Sequence, residues 1–113
     1  MESILNTVKE HLGPTAQYDV FNTQIIDHIN SVFFDLTQIG VGPSEGFVIT
    51  DDTYTWDDYI TEPRKFEAVK SYMYLRVKLL FDPPANATIL ASMERQIEKF
   101  EGRLNIAAET TES

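Results

Sequence analysis

His11 and His28 are the two side chains of this 113-residue sequence best suited to proton exchange near neutral pH or to metal binding. They fall on separate stretches of helical periodicity, and neither has a second histidine at zinc-site spacing. His28 has Asp27 beside it and Gln24 and Ser31 within one turn, so a structural hydrogen bond is expected of it rather than base catalysis. Asp51, Asp52, Asp57, Asp58 and Glu62 offer oxygen ligands, but without EF-hand spacing they read as a plain acidic loop. Gly40-Val41-Gly42-Pro43 lacks the lysine and hydroxyl residue of a phosphate loop. With no cysteine there is no thiol nucleophile, no thiolate metal site and no disulfide, and no serine sits in a nucleophile-elbow context. Tyr72 and Tyr74 interleave with Lys70, Arg76 and Lys78, a mixture that can hold nucleic acid, but their helical spacing reads as packing. The expectation is a protein that is not an enzyme, with no catalytic residue, no metal and no cofactor.

The elements that would position these residues are helical. A short first helix spans Ser3 to Leu12, with Ile4, Leu5, Val8 and Leu12 on one side and Gly13-Pro14 as its stop. A second begins near Asp19 or Asn22 and runs to Ile39, stopped by Gly40. Phe21, Ile25, Ile29, Val32, Leu36 and Ile39 form its stripe, widened by Ile26 and Phe33. Phe34 points away from that stripe, near Asp27, and is a candidate contact with another subunit. Residues 40–55 break the pattern. They form either an irregular loop or a small β-hairpin, with Phe47-Val48-Ile49 and Tyr54-Thr55-Trp56 flanking Asp51-Asp52-Thr53. Thr55 and Asp58 make a capping box for a short turn over Trp56 to Ile60.

The third long helix runs from Pro63 to Asp82, ahead of Pro83-Pro84. Phe66, Val69, Met73, Val77 and Leu80 are its main stripe. Ala68, Tyr72, Leu75 and Leu79 form a second strip, with Lys65 and Arg76 between the two. A helix apolar on two sides is either central in its own domain or covered by a neighbouring subunit, so Tyr72 and Arg76 are further candidate contacts. The last helix runs from near Asn86 to about Asn105, burying Ile89, Leu90, Met93, Ile97, Phe100 and Leu104 beneath a mixed-charge face. Asn86-Ala87-Thr88 matches a glycosylation sequon, which without an export signal reads as coincidence. The fold class is all-α: a small helical bundle of three long helices, a short N-terminal helix and the 40–55 segment, forming one domain over residues 1–105 with a flexible tail at 106–113.

Charge is distributed unevenly. Residues 1–63 hold eleven acids and one base, Lys9, while residues 64–105 hold five acids and eight bases, within a net charge of −9. That asymmetry serves solubility, or it lets the acidic half of one copy face the basic half of the next, a head-to-tail contact that closes into a ring. The acidic total argues against a sequence-reading DNA binder. No apolar run is long enough to span a membrane and the N-terminus lacks a secretory pattern, so an intracellular product is expected.

Several stretches carry a resemblance. Gln24 to Phe33 leads into Gln38-Ile39-Gly40-Val41-Gly42-Pro43, then Gly46-Phe47 and Trp56; later come Lys78 to Pro84, Arg95-Gln96-Ile97-Glu98 and Arg103-Leu104-Asn105. Over residues 20–105 the chain resembles the head–tail connector proteins, also termed head-completion or adaptor proteins, of long-tailed phages and prophages of Gram-positive bacteria. The resemblance implies a helical protomer in a twelvefold ring beneath the portal, assembled in the host cytoplasm and resident in the virion neck. Its partners would be further copies of itself, the portal protein and the next connector or tail-completion protein, with packaged DNA passing through the channel without specific binding. It implies no catalytic residue. The chain departs from the family at Gly102, where an aromatic is expected before Arg103-Leu104-Asn105. Position 102 lies on the polar side of the last helix, so the change falls on a candidate subunit contact. The competing expectation is an acidic host-interaction protein, such as a DNA-mimicking inhibitor, which would space its acids along one exposed face.

Overall fold

Ser3 opens the molecule by capping its first helix. The computed structural model describes residues 2–60 and 63–112, with side chains described for 2–60 and 67–106. Helix α1 (Ile4–Leu12) starts where the Asn6 amide donates to the Ser3 hydroxyl at 3.2 Å, and it buries the four apolar residues assigned to it. Gly13 ends it at φ 104°, a left-handed value that a side chain would strain. Two 3₁₀ turns, Pro14–Gln17 and Asp19–Phe21, lead into α2 (Asn22–Gln38). Ile25, Ile29, Val32, Phe33 and Leu36 of α2 are fully buried, as the periodicity predicts. The helix closes with two crossed backbone bonds, Val41 N–H to Leu36 O at 2.9 Å and Gly40 N–H to Thr37 O at 3.1 Å, with Gly40 at φ 86°.

The 40–55 segment is a loop: among the described residues the sole β pairing is the bridge between Ser3 and Thr55. Asn30 takes the place of a partner strand. Its side-chain amide donates to the Ile49 carbonyl at 2.9 Å and its oxygen accepts from the Ile49 amide at 2.8 Å. This pair of hydrogen bonds turns Ile49 into the core and leaves Val48 outside. The segment's far end is tied to α1, with the Ile4 amide donating to Tyr54 O at 3.0 Å and the Trp56 indole donating to Thr7 Oγ1 at 2.9 Å. The capping box expected of Thr55 and Asp58 is present and starts the single turn α3 (Trp56–Tyr59).

Helix α4 (Pro63–Phe81) is the centre of the bundle, packing against α1, α2 and α5 (Ala87–Glu112). Both apolar strips are therefore used inside the protomer: Val69, Met73, Val77 and Tyr72 are buried, and Ala68, Leu75 and Leu79 pack against them. Phe66 and Lys65 lie outside the described side chains. Leu80 departs from its assignment at 45% exposure. Phe81 takes the last packing position instead, its ring meeting Phe21 edge-on at 5.5 Å.

Asn86, the residue of the apparent sequon, caps α5 by accepting the amides of Thr88 and Ile89 at 2.8 and 3.1 Å. Helix α5 lies at the edge of the bundle against α4, so only the centre of its stripe is covered. Ile97 and Leu104 are buried while Ile89, on the flank, is exposed. It also runs past the expected end at Asn105. The segment predicted as a flexible tail is helical to Glu112, since Ile106-Ala107-Ala108 carries no stop signal and alanine is the strongest helix former. No helix among the described residues is long and apolar enough to cross a membrane.

Candidate assembly interface

The four residues singled out from the sequence fall into two environments. Tyr72 is interior, and Arg76 is partly buried in a cleft lined by residues of α2, α4 and α5. Tyr72 has no exposed surface, and its hydroxyl donates to Glu101 Oε2 at 2.9 Å while accepting from Arg76 Nη1. The other arm of Arg76 reaches Asp35 Oδ2 at 2.6 Å. One chain of polar contacts thus joins α2, α4 and α5. Burial, helped by the bond to Glu101, pushes the Tyr72 hydroxyl up to about 12. Burial opposes the charge on Arg76, but the bonds from Asp35 and Tyr72 outweigh it and raise the guanidinium above its ordinary value. Tyr72 is therefore removed from the contacts a neighbouring copy could make with this protomer, because its ring and hydroxyl are spent on internal packing. Sequence periodicity placed Tyr72 on a second apolar strip and Arg76 between the two strips, but could not say that their cover would come from the same chain.

Phe34 and Gly102 are exterior. Phe34 is 65% exposed and stands over a groove of about 290 Å³ between α2 and the 45–48 stretch of the loop, with Val48, 64% exposed, on the opposite wall. Asn30, Phe47 and Glu45 complete the lining. The groove exists because the Asn30 bonds hold the loop against α2, a function nothing in the local sequence around Asn30 signalled. Gly102 lies on the exposed side of α5, where an added Cβ would meet nothing within 4 Å.

The uneven charge of the chain is partly neutralised within the fold. Lys70 pairs with Glu2 at 3.2 Å and Arg76 with Asp35, each a base of the second half with an acid of the first. Lys9, the one base of the first half, is itself buried and bonded to Asn22 at 2.8 Å and Asp19 at 3.5 Å. Arg95, Lys99 and Arg103 make no ion pair or side-chain hydrogen bond among the described residues.

Candidate chemistry is not gathered into a site. His11 stacks on Tyr74 at 3.7 Å between ring centroids. His28 does not make the expected bond at Nε2, which is buried with no partner among the described residues. Gln24, Asp27 and Ser31, the expected partners, are all exposed on the helix surface. Asp51 accepts the Thr53 hydroxyl and amide, which hold its carboxyl below the ordinary range. Glu62 lies outside the described residues, and no group of three or more metal-ligating side chains occurs among those described.

Comparison with curated proteins and with solved structures returned no match. A family of structural phage proteins does match: the sequence model described as phage connector protein covers residues 4–111, from the first residue of α1 to the last turn of α5. On that match, which takes in the groove, the internal polar chain and both exterior candidates, this chain belongs to the phage connector protein family.

Proposed function

We propose that the protein works as a ring of identical copies, twelvefold to match the portal, between the portal and the tail or the next connector. The family match over residues 4–111 carries this reading. Two features of the protomer support it. Its unpartnered surfaces are unlike one another, an aromatic groove on α2 and a basic strip on α5, and unlike surfaces generate rings rather than two-fold pairs. A net charge of −9 also suits a wall past which DNA must slide, since phosphate contacts would retard passage. Catalysis has no part in this role, and DNA traverses the ring without specific binding. The DNA-mimicking alternative needs acids along an exposed face, whereas the outer face of α5 presents three bases.

The test is loss of function in the phage that encodes the protein. Without the gene, heads and tails should accumulate separately in lysates viewed by electron microscopy, and supplying the gene in trans should join them. Complete infectious particles formed without it would overturn the reading.

A further inference from the structure

Glycine inside a helix needs a reason, because it is about 1 kcal/mol less favourable there than alanine. Gly102 sits in the interior of α5 with a helical backbone, and among the described residues nothing beyond its own helix backbone and chain neighbours comes within 4 Å of where its Cβ would be. The protomer itself does not require glycine at this position, and in this chain, unlike relatives expected to carry an aromatic there, the outer surface of the helix is left open to a close approach.

The surroundings of Gly102 say what approaches. At 100° per residue, Arg95, Lys99 and Arg103 recur every fourth residue along the outer face, with Gly102 and Ala91 beside them and all of these exposed. Glu94, Glu98 and Glu101 fall together on the other flank, facing the cleft that holds Arg76 and Asp35. What reads in sequence as mixed charge is thus segregated, and its outer strip is basic over about 12 Å. The groove beside Phe34 has the opposite character. Residues 10–62 contain ten acids and no lysine or arginine, and Phe34 lies between exposed Asp27, two turns back on α2, and Glu45 on the groove wall.

Resting on the ring reading above, we infer that the Phe34–Val48 groove of one copy receives the outer strip of α5 from the next, with Phe34 seated over Gly102 and Asp27 and Glu45 facing Arg95, Lys99 and Arg103. Charge complementarity selects the occupant, because a second copy supplies three exposed bases with no ion pair among the described residues, opposite a groove flanked by exposed Asp27 and Glu45. The two surfaces belong to helices that pack separately on α4, so each protomer can use both at once and the contact propagates around a ring. Apolar contact at the centre with charges at the rim is the usual anatomy of such a surface.

The test uses particles of the phage whose copy of the gene carries both Phe34→Cys and Gly102→Cys. The chain has no thiol of its own, so between copies of it a short bismaleimide links only these positions. Denaturing gels should then show a ladder of chain multiples, absent from either single variant. A neck that contains the protein side by side but gives no ladder overturns this contact and leaves the ring intact; a neck without the protein overturns the ring reading and this inference together. Gly102→Leu provides a second measurement that does not depend on cross-linking. The purified variant should melt at or above the wild-type temperature, while the yield of infectious particles falls roughly tenfold or more. Unchanged yield from a stably folded Gly102→Leu protein overturns the contact.

Discussion

Two polar regions of this small bundle are built on opposite rules. Along the inner seam Asp35, Arg76, Tyr72 and Glu101 form one chain of contacts across three helices, half or fully buried. On the outer strip of α5, Arg95, Lys99 and Arg103 stand exposed with no ion pair among the described residues, and across the bundle Asp27 and Glu45 beside the Phe34 groove are likewise exposed. A buried polar group without a partner costs stability, whereas an exposed one costs nothing until it is covered. Interior polar residues therefore report on how the protomer holds itself, and exterior ones on what it meets. The four residues taken as subunit contacts from sequence divide along that line, Tyr72 and Arg76 inside, Phe34 and Gly102 outside.

The sharpest way to break this division is to disturb the interior. Met73→Ala, at a fully buried position on the central helix, should destabilise the protein by roughly 2–5 kcal/mol in chemical denaturation, a large share of what a domain this size has. Asn30→Ala should cost about 1–3 kcal/mol, because both backbone groups of Ile49 lose their partner. It should also raise amide exchange at Ile49 while leaving that of α5 unchanged. Equal exchange at both places would mean that Asn30 does not hold the loop.

Tyr72→Phe is a smaller and more specific probe, costing about 1 kcal/mol at neutral pH. The sign of its pH dependence follows from a folded-state value raised from 10.0 to about 12. The unfolded chain releases this proton first, so the stabilisation is complete below pH 10 and is lost as pH rises through about 12. Wild-type stability should fall across that window more steeply than that of Tyr72→Phe. Parallel curves would show that the hydroxyl is not held as described. Tyr59, also raised by burial, contributes equally to both proteins and cancels in the comparison.

At the exterior the effects on the protomer should nearly vanish. Phe34→Ala should change stability by no more than about 0.5 kcal/mol while impairing assembly. A loss comparable to that of Met73→Ala would mean that Phe34 belongs to the core.

The legible parts of the fold were those written in short-range chemistry. Ser3, Asn86 and the Thr55–Asp58 box act within one turn of themselves, and the stripe of α2 is a simple period, so their positions followed from spacing alone. Contacts across distance were hidden. Asn30 bonds a residue nineteen positions away, and the seam joins residues from three helices, pairings that no local pattern encodes. Leu80 and Ile89 fit their stripes but ran out of neighbours to cover them, Leu80 because Phe81 takes its place and Ile89 because α5 lies at the edge. Of the candidate interface, Phe34 was visible as an aromatic facing away from its stripe, and Gly102 as the place where the chain departs from the family resemblance. The basic strip was missed because acids and bases alternate in sequence although they separate around the helix.

The central claim, a ring of copies meeting by unlike faces, is tested most directly by reconstructing the neck of intact virions at a resolution that traces helices. The account predicts this protein between portal and tail, with successive copies related by rotation about the tail axis and α5 of each lying against the Phe34 face of α2 of the next. Its absence from the neck, or copies paired about two-fold axes, would contradict it.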